Sequence, residues 1–304
     1  MSKFVCAGIT QVETIVKVDK IPMRYSHVTA ESNMIHTSAG GDAFNESLAL
    51  KWLGNDVTFF SVVGKHFNDY YFNPDDRKVT LDTSHVLRTL ERSPEAVLFY
   101  DKDRRQQIFE DIKNLRDVQF DMDEALPFIK ECDMVVLANA NFCRPFVQAA
   151  QDAGKKIAVN IRTFRREKEK YNTDYLGAAN VLYFGDDNLD EDPYDFVKSI
   201  ADAYGNEIII LGQGAEGLII YDRNKDMIAH YNTVKTLEVV NTAGAGNALL
   251  SCFLHYWMKD GDSVAAIKNA LLFASYKIGY LGTSNGFMTP EQVEQWRNLI
   301  WGLK

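Results

Sequence analysis

Short runs of β-branched and apolar residues alternate along the chain with longer segments in which apolar positions recur every three to four residues. A run of the first kind predicts a strand buried on both faces, and one of the second a helix that covers it. Strands are expected at Phe4–Ile9, Val57–Val63, Met134–Ala138, Lys156–Ile161, Val181–Phe184, Ile208–Leu211 and Leu218–Tyr221. Helices are expected at Ala43–Leu53, Arg144–Ala153, Tyr194–Tyr204, Gly244–Met258, Ser263–Leu281 and Pro290–Ile300, several stopped by a glycine such as Gly54, Gly154 or Gly261. Alternation of this kind over residues 1–304 implies one α/β domain, a doubly wound, mainly parallel sheet between two helical layers.

Two segments depart from that rhythm. Val12–Val18 with Val28–His36, and Ala96–Tyr100 with Gln106–Phe109, alternate apolar and polar residues as half-exposed antiparallel strands do. Inserted at about 12–36 and 96–109, they are too few for a core of their own and predict a small β-sheet lid on the main domain. An apolar face on such a sheet needs cover, from that domain or from a second copy in a homodimer.

Charge removes whole classes of partner. The 33 Lys plus Arg against 42 Asp plus Glu leave a net charge of −9, which argues against a nucleic-acid groove or an anionic membrane surface. The local basic run Arg162, Arg165, Arg166, Lys168 and Lys170 reads as a solvated face, although Arg162 or Arg165, just past a strand, is placed to reach an acidic sugar. No apolar run approaches the roughly 20 residues that span a bilayer, and the N-terminal stretch has no signal-peptide cleavage pattern. Cys6, Cys132, Cys143 and Cys252 are scattered, and neither they nor the histidines show metal-ligand spacing, so a reducing cytoplasm is expected.

Chemistry concentrates in three glycine-rich segments. Gly40-Gly41, before a helix carrying Asn45, lets a small ligand approach the backbone while the amide offers a donor and an acceptor to hydroxyl groups. Gly212-Gln213-Gly214-Ala215-Glu216-Gly217 matches a dinucleotide fingerprint in letters, but a strand follows it instead of a helix, so it reads as a glycine-rich β-turn. Gly8-Ile9-Thr10-Gln11 offers no dinucleotide turn either, which disfavours an oxidoreductase. The third segment, Asn241-Thr242-Ala243-Gly244-Ala245-Gly246-Asn247, opens a long apolar helix, and its small residues form an anion-binding nest reinforced by the helix dipole.

With these segments in this order, the chain resembles the ribokinase-like (PfkB) carbohydrate kinase family over essentially its whole length. The resemblance implies a three-layer α/β/α fold with a β lid, and ATP- and Mg²⁺-dependent phosphorylation of a hydroxyl on a sugar or related polyol. It implies that Gln11, Glu13, Gly40, Gly41 and Asn45 meet the sugar, that Gly212, Gly214, Gly217 and Thr242 lie at the nucleotide, and that Gly244, Ala245 and Gly246 form the anion hole.

The chemical positions depart from the family pattern. The loop should read D-T-x-G-A-G-D, with its last aspartate the base; that position is Asn247, and the first, associated with a monovalent cation, is Asn241. The family's N-x-x-E metal motif is replaced by Gly185-Asp186-Asp187-Asn188, leaving Asp186 and Asp187 to meet Mg²⁺. Gln11 and Glu13 stand for a shorter amide and carboxylate, Gly64 to Asp69 lacks the usual acid and final glycine, and Asn160-Ile161-Arg162 replaces D-P-N. The expected function is an ATP-dependent sugar kinase with weakened, relocated or lost catalysis; the alternative is a noncatalytic sugar- or nucleotide-binding regulatory protein.

Overall fold

The computed structural model describes residues 1–74, 77–187 and 189–302. The chain opens with strands β1 (Lys3–Ala7), β2 (Gln11–Lys17) and β3 (Ile35–Gly40), helix α1 (Asp42–Trp52), and strands β4 (Asp56–Gly64), β5 (Val86–Leu90), β6 (Glu95–Tyr100) and β7 (Gln106–Asp111). Alternation follows through α2 (Met122–Glu131), β8 (Met134–Ala138), α3 (Arg144–Asp152), β9 (Lys156–Thr163), α4 (Glu169–Ala178), β10 (Val181–Gly185) and α5 (Pro193–Tyr204). Strands β11 (Ile208–Gly212), β12 (Leu218–Asp222) and β13 (Met227–Tyr231) precede helices α6 (Ala245–Asp260), α7 (Ser263–Lys277) and α8 (Pro290–Trp301).

Nine strands form one sheet in the order β13-β12-β11-β10-β9-β8-β1-β4-β5. It is parallel from β5 to β11 and antiparallel at β12 and β13. Side chains alternate between the two faces, so each strand feeds two cores. Phe4, Cys6, Ile208 and Ile210 join Phe44, Leu48, Phe253 and Phe273 from α1, α6 and α7 on one face. Val5, Ala7, Ile209 and Leu211 join Phe146, Tyr175 and Phe196 from α3, α4 and α5 on the other. The three-layer arrangement read from the sequence is therefore the observed one.

A second sheet has the order β3-β2-β6-β7, with β2 and β6 parallel and the outer pairs antiparallel. Ile15, Ala96 and Leu98 on its inner face cluster with Ala243, in the loop that leads to α6, and with Leu281. The small sheet is thus anchored over the start of α6. Its strands differ from expectation most at β3: residues 28–34 lie outside any strand, and β3 begins at Ile35 and runs past the expected end at His36 to Gly40. That extra length delivers Gly41 directly to the start of α1.

Strands β5 and β13 and helices α2 and α4 are absent from the elements expected from sequence, and α7 is shorter than expected. Strands β5 and β13 are only partly buried, and β5 interleaves Arg88 and Thr89 among its apolar residues. Helix α2 contains Pro127, a residue that ordinarily ends a helical pattern. Helix α7 stops at Lys277, short of the expected Leu281, because the chain turns through Gly279 and Gly282.

Candidate active site

The ends of β9 and β10 and the starts of β2, α1 and α6 converge under the small sheet, leaving a cleft of about 240 Å³. Ligand sites of open α/β sheets lie at this carboxyl edge. Helix α1 enters the interior with every residue from Asp42 to Leu50 buried, which carries its acids Asp42 and Glu46 inside. Like charges at i,i+4 disfavour a helix. Partners from other elements offset that cost.

Gly41 caps α1 at φ 98, where a Cβ would fall 2.5 Å from the Ile9 carbonyl oxygen. Its N–H donates to Glu13 Oε1 at 3.0 Å, and Gln11 Nε2 donates to the same oxygen at 3.0 Å. The Glu13 carboxylate occupies the space a side chain at Gly40 would need, and its Oε2 accepts from Thr283 Oγ1. Burial raises the Glu13 pKa above the ordinary carboxylate range despite these three donors.

Asn247, in the first turn of α6, is almost fully buried. Its Nδ2 donates to Asp42 Oδ1 at 3.2 Å and to Glu46 Oε1 at 3.1 Å, while its Oδ1 accepts from Asn45 Nδ2 at 3.4 Å. Glu46 Oε1 also accepts from Asn160 Nδ2 at 2.7 Å, and its other oxygen is buried with no partner among the described residues. Burial first, then the adjacent Asp42 carboxylate, push the Glu46 pKa up to about 8. Arg162, at φ 57 in β9, reaches Glu110 at 2.8 Å and Asp42 at 3.7 Å.

The loop before α6 is a narrower anion site than the sequence suggests. Asn241 Oδ1 accepts from the Ala243 N–H at 3.0 Å, and the Ala245 N–H donates to the Thr242 carbonyl at 3.2 Å. The N–H groups of Gly244, Gly246 and Asn247 have no protein partner among the described residues and stand at the positive end of a 16-residue helix. Gly244 sits at φ 80 against Thr283, a conformation and an approach that a Cβ would block. Behind the loop, fully buried Lys277 donates from Nζ to the carbonyls of Ala243 and Gly282, and burial lowers its pKa to about 7.

Of the residues singled out from sequence, Gln11, Glu13, Gly41, Asn45, Asp187, Thr242, Gly244, Ala245, Gly246 and Asn247 line the cleft together, and Gly40 lies just behind Glu13. Gly212, Gly214, Gly217 and Asp186 are not on its wall, and Asn188 lies outside the described residues. Gly212 and Gly246 both pack on the hydroxyl end of Tyr183, so the glycine-rich turn is one side chain removed from the cleft. Arg162 lines it, whereas Arg165 does not. Sequence reasoning missed Glu46, Tyr183, Lys277 and Thr283. Only Glu46 carried a signal, an acid one turn after Asp42 in a helix that also carries Phe44, Leu48 and Leu50.

The chemistry available is anion binding by backbone N–H groups, hydroxyl recognition by Asn45 and the Glu13 carboxylate, and proton exchange with buried acids. Among the described residues no group of three or more His, Cys, Asp or Glu is placed to hold a metal ion. Asp186 and Asp187 stand side by side past β10, and burial together with its neighbour's charge raises the Asp186 pKa. Such a carboxylate pair fits Mg²⁺, which takes one or two protein carboxylates and completes its shell with water and phosphate oxygens. The loop behind the anion site does not fit a further monovalent cation, because the Lys277 ammonium already engages its carbonyls.

Known proteins are similar to the chain over nearly its whole length. A deoxyribokinase from Salmonella typhi is 24% identical over 311 residues, covering 96% of this chain and 97% of that one. A microbiome-derived acarbose kinase superposes with a TM-score of 0.82 at 18% identity, over 97% and 98% of the two chains. Ribokinase from Arabidopsis thaliana, solved with ribose and ATP, gives 0.76 at 15% identity over the same shares. The profile described as pfkB family carbohydrate kinase matches residues 1–290, nearly all of the nine-stranded domain and its small sheet, and the chain belongs to that family.

Proposed function

We propose that this carbohydrate kinase transfers the γ-phosphoryl group of ATP to a hydroxyl of a neutral sugar or polyol, at a rate reduced by the amide at position 247. The observation that carries the reading is the bonding of Asn247, whose side chain is fixed by two carboxylates and Asn45 and has no basic atom to take a proton. A general base contributes typically 10²- to 10⁴-fold, so its displacement from position 247 costs at most ~5 kcal/mol of transition-state stabilisation. The N–H groups of Gly244, Gly246 and Asn247 keep the charge-stabilising part of the site, on which phosphoryl transfer mainly depends. A neutral substrate is favoured because Arg162 is already balanced by Asp42 and Glu110.

Mg²⁺ at Asp186 and Asp187 would neutralise charge on the phosphates. Gly212, Gly214 and Thr242 would border the nucleotide, and Gln11, Glu13, Gly41 and Asn45 the sugar. Gln106 of β7 donates to Thr242 Oγ1, which supports a lid role for the small sheet. Four unpaired, buried cysteines fit a cytoplasmic setting.

The test is ADP release with ATP·Mg and a panel of D-ribose, 2-deoxy-D-ribose, D-fructose and ribonucleosides, run beside thermal shift. The reading predicts a slow, sugar-dependent release together with a rise in melting temperature for ATP and for the same sugar. Binding without any sugar-dependent release would instead favour the noncatalytic regulatory alternative. A further expectation concerns cations: with Lys277 under the anion loop, turnover should be unchanged when K⁺ is replaced by tetramethylammonium at equal ionic strength. A several-fold dependence on K⁺ would contradict that role for Lys277.

A further inference from the structure

If slow transfer persists with an amide at 247, another group must take the hydroxyl proton, and the cleft narrows the choice. Glu13 Oε1 already accepts from Gly41 and Gln11 and Oε2 from Thr283, so a hydroxyl meets only their remaining lone pairs. Glu46 lies behind Asn247 and off the cleft wall. Glu110 is held by Arg162 at 2.8 Å. Asp187 stands on the side assigned above to Mg²⁺.

Asp42 is different. It lines the cleft from the first turn of α1, and its Oδ1 is tied to the Asn247 amide at 3.2 Å. Its Oδ2 has no hydrogen-bond donor among the described residues, since Arg162 Nη1 stands 3.7 Å away, beyond hydrogen-bond reach. Resting on the kinase reading, we propose that Asp42 is the proton acceptor of this chain and that Asn247 is a positioning residue, which aims the Asp42 carboxylate into the cleft. Asn45 completes the arrangement by donating to Asn247 Oδ1, so that Nδ2 must face the carboxylates.

In the reaction, the substrate hydroxyl oxygen forms a bond to the γ-phosphorus of ATP. The bond from that phosphorus to its bridging oxygen breaks, the electron pair leaves on ADP, and the hydroxyl proton passes to Asp42 Oδ2. The charged groups facing Asp42 are Glu46 from its own helix, Arg162 from β9 and Glu110 from β7. Burial outweighs the arginine and leaves the Asp42 pKa raised, which makes it a stronger base than an exposed aspartate.

The test uses the full chain, ATP·Mg and the best sugar of the panel. Asp42→Asn should lower kcat by roughly 10²- to 10⁴-fold, with KM and the ligand-induced thermal shifts kept within about threefold. Asp42→Ala should recover part of the lost turnover when formate is added as an external base. In the natural protein, which needs no variant to fold, kcat should fall on the acidic side as one group is protonated. Turnover within threefold of the natural value in Asp42→Asn, a folded Asp42→Ala protein blind to formate, or a kcat with no acidic limb would each overturn the assignment of Asp42. Absence of sugar-dependent ADP release in the natural protein would overturn the kinase reading itself, and the assignment with it.

Discussion

Replacing Asn247 by Asp together with Glu46 by Gln is expected to raise sugar-dependent ATP turnover by roughly 10²-fold or more. The pair matters because the two positions share one hydrogen bond, Asn247 Nδ2 to Glu46 Oε1 at 3.1 Å. Asn247→Asp alone would put a third buried carboxyl beside Asp42 and Glu46 and remove the amide that donates to both, so burial and the neighbouring Asp42 favour the protonated form of the new carboxyl, which cannot take a proton. Its melting temperature should fall and its gain in turnover should stay below about tenfold. The double exchange moves the amide instead of removing it: the glutamine introduced at position 46 can donate to the carboxylate introduced at position 247 while still accepting from Asn160. Steady-state kinetics of the natural protein and the three variants checks this. A single Asn247→Asp exchange that performs as well as the double one would show that the carboxylate cluster does not govern position 247.

Glu46 carries the second large effect, on stability. Its pKa of about 8 in the folded protein lies above the ordinary 4.5, so the native state holds a proton that the unfolded chain releases across that interval. Stability from this group is complete at low pH and is lost as pH rises toward 8, at up to ~1.4 kcal/mol per pH unit. His255 works in the opposite direction below about pH 6.5, because burial lowers its pKa to about 4. Comparison with Glu46→Gln isolates the carboxyl: the variant's stability relative to the natural protein should increase steadily from pH 5 to pH 8 in urea unfolding. A difference that does not change with pH would mean that Glu46 is ionised in the folded state.

Much of the fold was legible because its signals are local. Strands such as Met134–Ala138 and Ile208–Gly212 are apolar throughout, as strands with both faces buried must be, and glycines close the helices α5 and α6. Edge strands β5 and β13, half exposed, lack that signature, and β3 hides its last residues in a stretch of small and polar side chains. In the site, the glycine segments could be read because their function lies in the backbone. Lys277 could not, since a lysine near the end of a helix ordinarily faces water, and only the return of the chain through Gly282 encloses its ammonium. Nor could the sharing of Asn247 between Asp42 and Glu46, which depends on α1 and α6 packing side by side across some 200 residues of sequence.

The central claim, that the group at the start of α6 no longer takes the proton, is tested most directly by rapid-quench measurement of a single turnover, which separates phosphoryl transfer from product release. With enzyme in excess over ATP and the sugar saturating, the natural chain should form phosphorylated sugar well below ~1 per second, and the Asn247→Asp, Glu46→Gln protein roughly 10²-fold faster. Transfer by the natural chain at the roughly 1 to 100 per second usual for kinases, unchanged by the exchange, would contradict it.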